Sequence, residues 1–120
     1  MKNIIIIDDD PDLRFMLNEM LKDKYKVVEL ADVDEVLRLC KKDKVDLIIT
    51  DLFMPGKNGL ELIKEVRKKY PEIRILAISG GNYTKTCDFL PIADLIGANE
   101  TMHKPFGMKE LQQRVDKLVH

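Results

Sequence analysis

Scarcity already removes several classes of protein. With only 6 Gly and 5 Pro among 120 residues, collagen-like and low-complexity chains are excluded. The two cysteines, Cys40 and Cys87, do not make a disulfide framework. Neither has a His or a second Cys at ligand spacing, so Cys40 reads as a small buried hydrophobe. No long apolar run exists: the longest aliphatic stretch, Ile4 to Ile7, falls far short of the roughly 20 residues needed to cross a bilayer. It also lacks the charged lead and the cleavage pattern of a signal peptide. Neither sign of charge dominates, with 20 Lys plus Arg against 21 Asp plus Glu and a formal net charge of -1. A nucleic-acid binder normally shows a clear basic excess, so nucleic acid is not expected as the main ligand. A cytoplasmic protein without a membrane partner is the expectation.

What is present is enough for one core. Hydrophobic residues make up 45% of the chain, which excludes disorder. A chain of this length buries roughly two thirds of its unfolded surface, so it folds without a disulfide or metal staple. No repeat or linker divides it, and one domain spanning 1–120 is expected.

Apolar runs and helical faces alternate along that domain. Ile4–Ile7, Val27-Val28 with Leu30, Val45–Thr50 and Ile73–Ile78 read as strands of a parallel sheet covered on both faces, and Glu100–His103 as a weaker fifth. Asp10-Pro11 is an N-cap followed by proline at the first helical position, after which Leu13, Met16, Leu17, Met20 and Leu21 share a face. Asp32 can cap a second helix with Val33, Val36, Leu37 and Cys40 inward. Asn58-Gly59 opens a third helix, with Leu60, Ile63 and Val66 inward and Pro71 as its stop. Pro91 begins a short fourth helix with Gly97 at its C-terminal cap. Met108, Leu111, Val115 and Leu118 mark a fifth. Five strands alternating with five helices predict an open, doubly wound α/β domain. The basic runs Lys41-Lys42 and Arg67-Lys68-Lys69 fall in last helical turns, where cations complement the helix dipole.

In such a sheet the binding crevice lies beyond the carboxyl ends of the strands. The first strand is followed by Asp8-Asp9-Asp10, the third by Asp51, the fourth by Ser79 and the fifth by Lys104-Pro105-Phe106. Two carboxylates about 4 Å apart repel by ~4 kcal/mol at an effective dielectric near 20, so a carboxylate cluster needs a cation or raised pKa values. An all-oxygen donor set selects a hard ion, and Mg²⁺ fits best because it accepts a few carboxylates, waters and a phosphate oxygen. Lys104 supplies a point charge for an anion and Ser79 a hydroxyl donor. These groups would neutralise a phosphoryl group in transfer to Asp51, a carboxylate able to act as nucleophile. Asp10 and Asp12 are assigned mainly to the start of the helix.

Ile4–Ile7 with Asp8-Asp9 and Arg14, Asp51-Leu52-Phe53-Met54-Pro55 with Gly59, Ser79, Gly97-Ala98, and Lys104-Pro105-Phe106 together resemble the response regulator receiver domain over essentially the whole chain. The resemblance implies a flavodoxin-like fold with strand order 2-1-3-4-5. It implies a molecular switch that takes a phosphoryl group from a histidine kinase or phosphotransfer protein onto Asp51, and an enzyme only toward its own phosphorylation and dephosphorylation. Asp9, Asp51 and the backbone carbonyl of Phe53 would bind Mg²⁺, with Asp8 acting largely through water, while Ser79 and Lys104 would hold phosphoryl oxygens. It also implies a cis bond between Lys104 and Pro105.

Two features depart from the family pattern. Thr101 stands where the family has a switching aromatic, and the spacing from Ser79 to Lys104 is about three residues longer than usual, an insertion expected in the loop after Ser79. That loop is expected to carry part of the signal. Output would pass to a downstream protein partner, since no DNA-binding element follows the last helix, unless the reading frame continues past His120.

Rival readings are weaker. The aspartate run resembles that of Mg²⁺-dependent phosphatases, but no cap domain fits in this length. Flavin or dinucleotide binding needs a Gly-rich or hydroxyl-rich turn after the first strand, and Asp8 to Asp12 would repel phosphate there. A degenerate receiver kept as a scaffold would lack site residues that are all present here.

Overall fold

A computed structural model of the chain describes residues 1–52, 59–80, 90–104 and 106–119. The elements alternate strictly: β1 (Asn3–Ile7), α1 (Pro11–Leu21), β2 (Lys26–Leu30), α2 (Val33–Lys42), β3 (Leu47–Asp51), α3 (Gly59–Lys69), β4 (Arg74–Gly80), α4 (Leu90–Ile96), β5 (Glu100–Lys104) and α5 (Met108–Val119). The strands form one parallel sheet in the order β2-β1-β3-β4-β5, the flavodoxin-like doubly wound arrangement.

Alternation along β1 divides the core in two, because successive side chains point to opposite faces of a sheet. Ile5 and Ile7 pack with Val33, Val36 and Cys40 of α2, Leu62, Ile63 and Val66 of α3, and Ala93 of α4. Ile4 and Ile6 pack with Leu17, Met20 and Leu21 of α1 and Leu111, Val115 and Val119 of α5. A strand buried on both faces must be apolar throughout, which is why four consecutive isoleucines occur in β1.

The helix ends follow local rules. The Asp10 carboxylate accepts from the backbone N–H groups of Asp12 and Leu13, at 3.0 and 3.4 Å, with Pro11 at the first helical position. Asp32 caps α2 through the Asp34 N–H. At the end of α4, Gly97 takes φ 127°, its N–H donates to Asp94 O and the Ala98 N–H to Ala93 O, the paired bonds of a glycine-terminated helix.

Three details differ from the sequence reading. Met16 and Met108 are exposed, and α5 buries Val119 in addition to packing the half-buried Leu118 against the core. Leu62 is buried beside Ile63. Asn58, the expected loop insertion after Ser79 and the Lys104–Pro105 bond lie outside the described residues. Among the described residues no helix is long and apolar enough to cross a membrane.

Candidate functional site

Register brings the strand-end residues level. Ile7 pairs with Thr50, so Asp8 and Asp51 lie side by side at the carboxyl edge of the sheet. Asp51 pairs with Ile78 and Ser79 with His103, which sets Ser79 one residue farther along and Lys104 next to it on β5. Asp8, Asp51 and Ser79 are all buried. Asp9 is exposed, at the mouth of the crevice.

Lys104 binds the acidic pair together. Its Nζ lies 3.0 Å from Asp51 Oδ2 and 3.2 Å from Asp8 Oδ2. The other Asp8 oxygen accepts from the Asp10 N–H at 2.9 Å. Carboxylate oxygens of Asp8, Asp9 and Asp51 all approach within 4.8 Å of one another.

The protonation balance follows from burial. Loss of water pushes the Asp8 carboxyl up from 3.8 to about 6; the Asp51 charge adds to this, while the Asp10 amide and the Lys104 ammonium oppose it. For Lys104 burial works against the charged form, but the hydrogen bond and charge of Asp51, then those of Asp8, outweigh it and raise its pKa. With its carboxyl pushed up to about 6, buried Asp8 beside Asp9 and Asp51 is under-compensated by one lysine. A hard dication would relieve that deficit, and the all-oxygen donor set fits Mg²⁺.

Two contacts support the Asp51 backbone, one from a residue absent from the sequence motif and one from a motif residue. The buried Thr50 hydroxyl donates to the Asp51 backbone carbonyl at 2.9 Å. Gly59 opens α3 directly against the end of β3: its N–H donates to Leu52 O, and a Cβ there would stand 2.2 Å from Asp51 O. Only glycine permits that approach. The Phe53 carbonyl lies outside the described residues.

The response regulator receiver domain model matches residues 4–116. The chain belongs to that family. Relatives include the hydrogenase transcriptional regulatory protein HoxA of Cupriavidus necator, 31% identical over 97% of this chain and 24% of its own length. The transcriptional regulatory protein CpxR of Klebsiella pneumoniae is 32% identical over 99% of this chain and 50% of its own. This receiver domain therefore spans about a quarter to a half of the length of these curated relatives. Among solved structures, response regulator TrrA of Thermotoga maritima, in complex with Mg²⁺-BeF, superposes with a TM-score of 0.84 at 32% identity, covering 98% of this chain and 99% of its own. Within a receiver domain the Asp8, Asp9 and Asp51 pocket fits a phosphorylation site that works with Mg²⁺.

Proposed function

We propose that Asp51 is the phosphoryl acceptor, that Asp8, Asp9 and Asp51 hold Mg²⁺ together with the Phe53 carbonyl, and that Ser79 and Lys104 bind phosphoryl oxygens. The observation that carries this reading is Lys104 Nζ lying between the Asp8 and Asp51 carboxylates at the end of the sheet where such folds bind ligands.

An Asp51 carboxylate oxygen attacks the phosphorus of a phosphohistidine. The O–P bond forms as the N–P bond breaks, and the donor imidazole leaves with the bonding pair. Mg²⁺ held by Asp8, Asp9 and Asp51 would supply charge neutralisation for the phosphoryl oxygens. Lys104 follows the incoming charge because its ammonium already bridges the two carboxylates, and it can give up the Asp8 contact to take an anionic oxygen. The Ser79 hydroxyl, buried at the end of β4, donates to another. Asp8 would act on the metal mainly through water. The donor is a histidine kinase or phosphotransfer protein, the chain promotes only its own phosphorylation and dephosphorylation, and the phosphorylated form signals to a downstream protein in the cytoplasm.

Intact-mass measurement with acetyl phosphate and Mg²⁺ tests the assignment. One phosphoryl group is expected on the wild type and none on Asp51→Asn. Equal uptake by the variant would move the acceptor elsewhere.

A further inference from the structure

Asp8 is held on every side, while Asp9 is not. Among the described residues no hydrogen bond or ion pair restrains the Asp9 carboxylate, and the side chain is exposed. Its direction is therefore set by the backbone that launches it. That backbone has one unusual restraint. Arg14, in the second turn of α1, turns its side chain back so that Nη1 donates to the carbonyl oxygen of Asp8. This carbonyl belongs to the planar peptide joining Asp8 to Asp9, so holding it fixes the plane from which the Asp9 Cα–Cβ bond departs.

The guanidinium is steadied from its other side. Arg14 Nε lies 3.8 Å from Glu29 Oε1 on β2, and Asn18, one turn farther along α1, donates from Nδ2 to Glu29 Oε2 at 2.7 Å. Arg14 and Glu29 are both partly buried. The planar guanidinium presents its N–H groups in a fixed fork, so it meets the carbonyl with one edge and faces the carboxylate with another, a geometry that a lysine's compact ammonium does not reproduce.

We propose that Arg14, held by Glu29 and Asn18, is a positioning residue for Mg²⁺ binding, aiming Asp9 into the crevice through the Asp8–Asp9 peptide. This rests on the reading of Asp9 as a metal ligand. The sign of its effect separates it from a simple charge effect. A guanidinium acting only by its charge repels a dication, so removing it would tighten Mg²⁺ binding; one that orients a ligand loosens binding when removed.

Calorimetric titration of Mg²⁺ into the unphosphorylated wild type, Arg14→Met, Arg14→Lys, Asp9→Ala and the Arg14→Met/Asp9→Ala double variant, with thermal melts alongside, decides the matter. Arg14→Met should weaken affinity by about 10-fold or more, Arg14→Lys should fall between it and the wild type, and Arg14→Met should add nothing once Asp9 is alanine. Unchanged or tighter affinity in Arg14→Met, a lower melting point without loss of affinity, or an equal loss in the Asp9→Ala background overturns the proposal. Should Arg14→Met not fold, Arg14→Lys carries the test, and wild-type affinity in that variant overturns it. A wild type that binds Mg²⁺ normally while the Arg14 variants do the same defeats this inference alone. A wild type that binds none defeats the reading of the site and this inference with it.

Discussion

β1 and β5 each deliver a charged residue to the same crevice, Asp8 and Lys104, by opposite means. β1 is paired on both sides, with β2 and β3, and Ile4 to Ile7 are each at most 1% exposed. β5 is an edge strand, paired among the described residues only with β4, and Met102 is its single fully buried residue. Polar anchors hold it instead: Arg114 Nη1 donates to Thr101 O at 2.9 Å and lies 3.5 Å from Glu100, and the Asn99 N–H just before the strand donates to Ile75 O. The anionic half of the crevice is thus built on dry hydrophobic packing, and the cationic half on a strand tied by hydrogen bonds. Rigidity is placed under the carboxylates, and freedom of adjustment is left to the lysine.

The sharpest break of this contrast is in packing. Ile6→Ala should cost about 2–5 kcal/mol in denaturant unfolding, whereas Thr101→Ala, on a half-buried position, should cost under about 1 kcal/mol. Comparable losses would erase the distinction between the strands.

Next comes Lys104→Met, which leaves two buried carboxylates without their shared cation. A loss of about 1–3 kcal/mol is expected near neutral pH in metal-free protein. It should shrink on acidification and be smallest below about 6, where Asp8 is protonated with or without the lysine. Melting curves at two pH values, with and without saturating Mg²⁺, measure it.

Asp8→Asn should move stability the other way. The folded-state pKa of Asp8 is raised from 3.8 to about 6, so its contribution is fully present below the lower value and is lost as pH rises through the upper one. At neutral pH the ionised group costs stability, and the amide removes that cost. With solvent screening allowed for, a gain of about 1–2 kcal/mol is expected in metal-free protein, disappearing toward about pH 4 and accompanied by a loss of stabilisation by Mg²⁺. A variant no more stable than wild type at neutral pH would contradict the strain ascribed to Asp8.

The smallest effect is predicted for Arg114→Met, about 0.5–1.5 kcal/mol. Hydrogen exchange should quicken in β5 and not in β1. Equal quickening in both strands would show that the edge strand is not separately anchored.

The same contrast explains what the sequence makes legible. Runs such as Ile4–Ile7 and Ile73–Ile78 announce themselves because a twice-covered strand has no other composition available. The Asp10-Pro11 cap and Gly97 are equally direct, each tied to a specific local geometry. β5 was the weakest strand to read, since Glu100, Thr101 and His103 are not those of a buried run and its anchors come from Arg114, outside the strand. Met16 and Met108 misled because apolarity alone suggests burial, while the surface of a protein is itself largely apolar.

In the crevice, the convergence of Asp8, Asp51 and Lys104 followed from topology. The raised Asp8 pKa, the Thr50 hydroxyl bond and the reach of Arg14 back to a carbonyl depend on burial and side-chain conformation, which no spacing encodes. Gly59 was visible as a motif residue, but its reason, contact with the Asp51 carbonyl, was not.

That contact has a bearing on how such a domain can change over generations. The Leu52 carbonyl and the Gly59 amide are tied directly to each other, so the end of β3 and the start of α3 are held at one fixed separation. Any side chain at position 59 would meet the Asp51 carbonyl and so push the start of α3 away from the end of β3. Descendants of this chain can therefore vary the exposed positions of α3, such as Glu61, Lys64 and Glu65, while position 59 stays glycine.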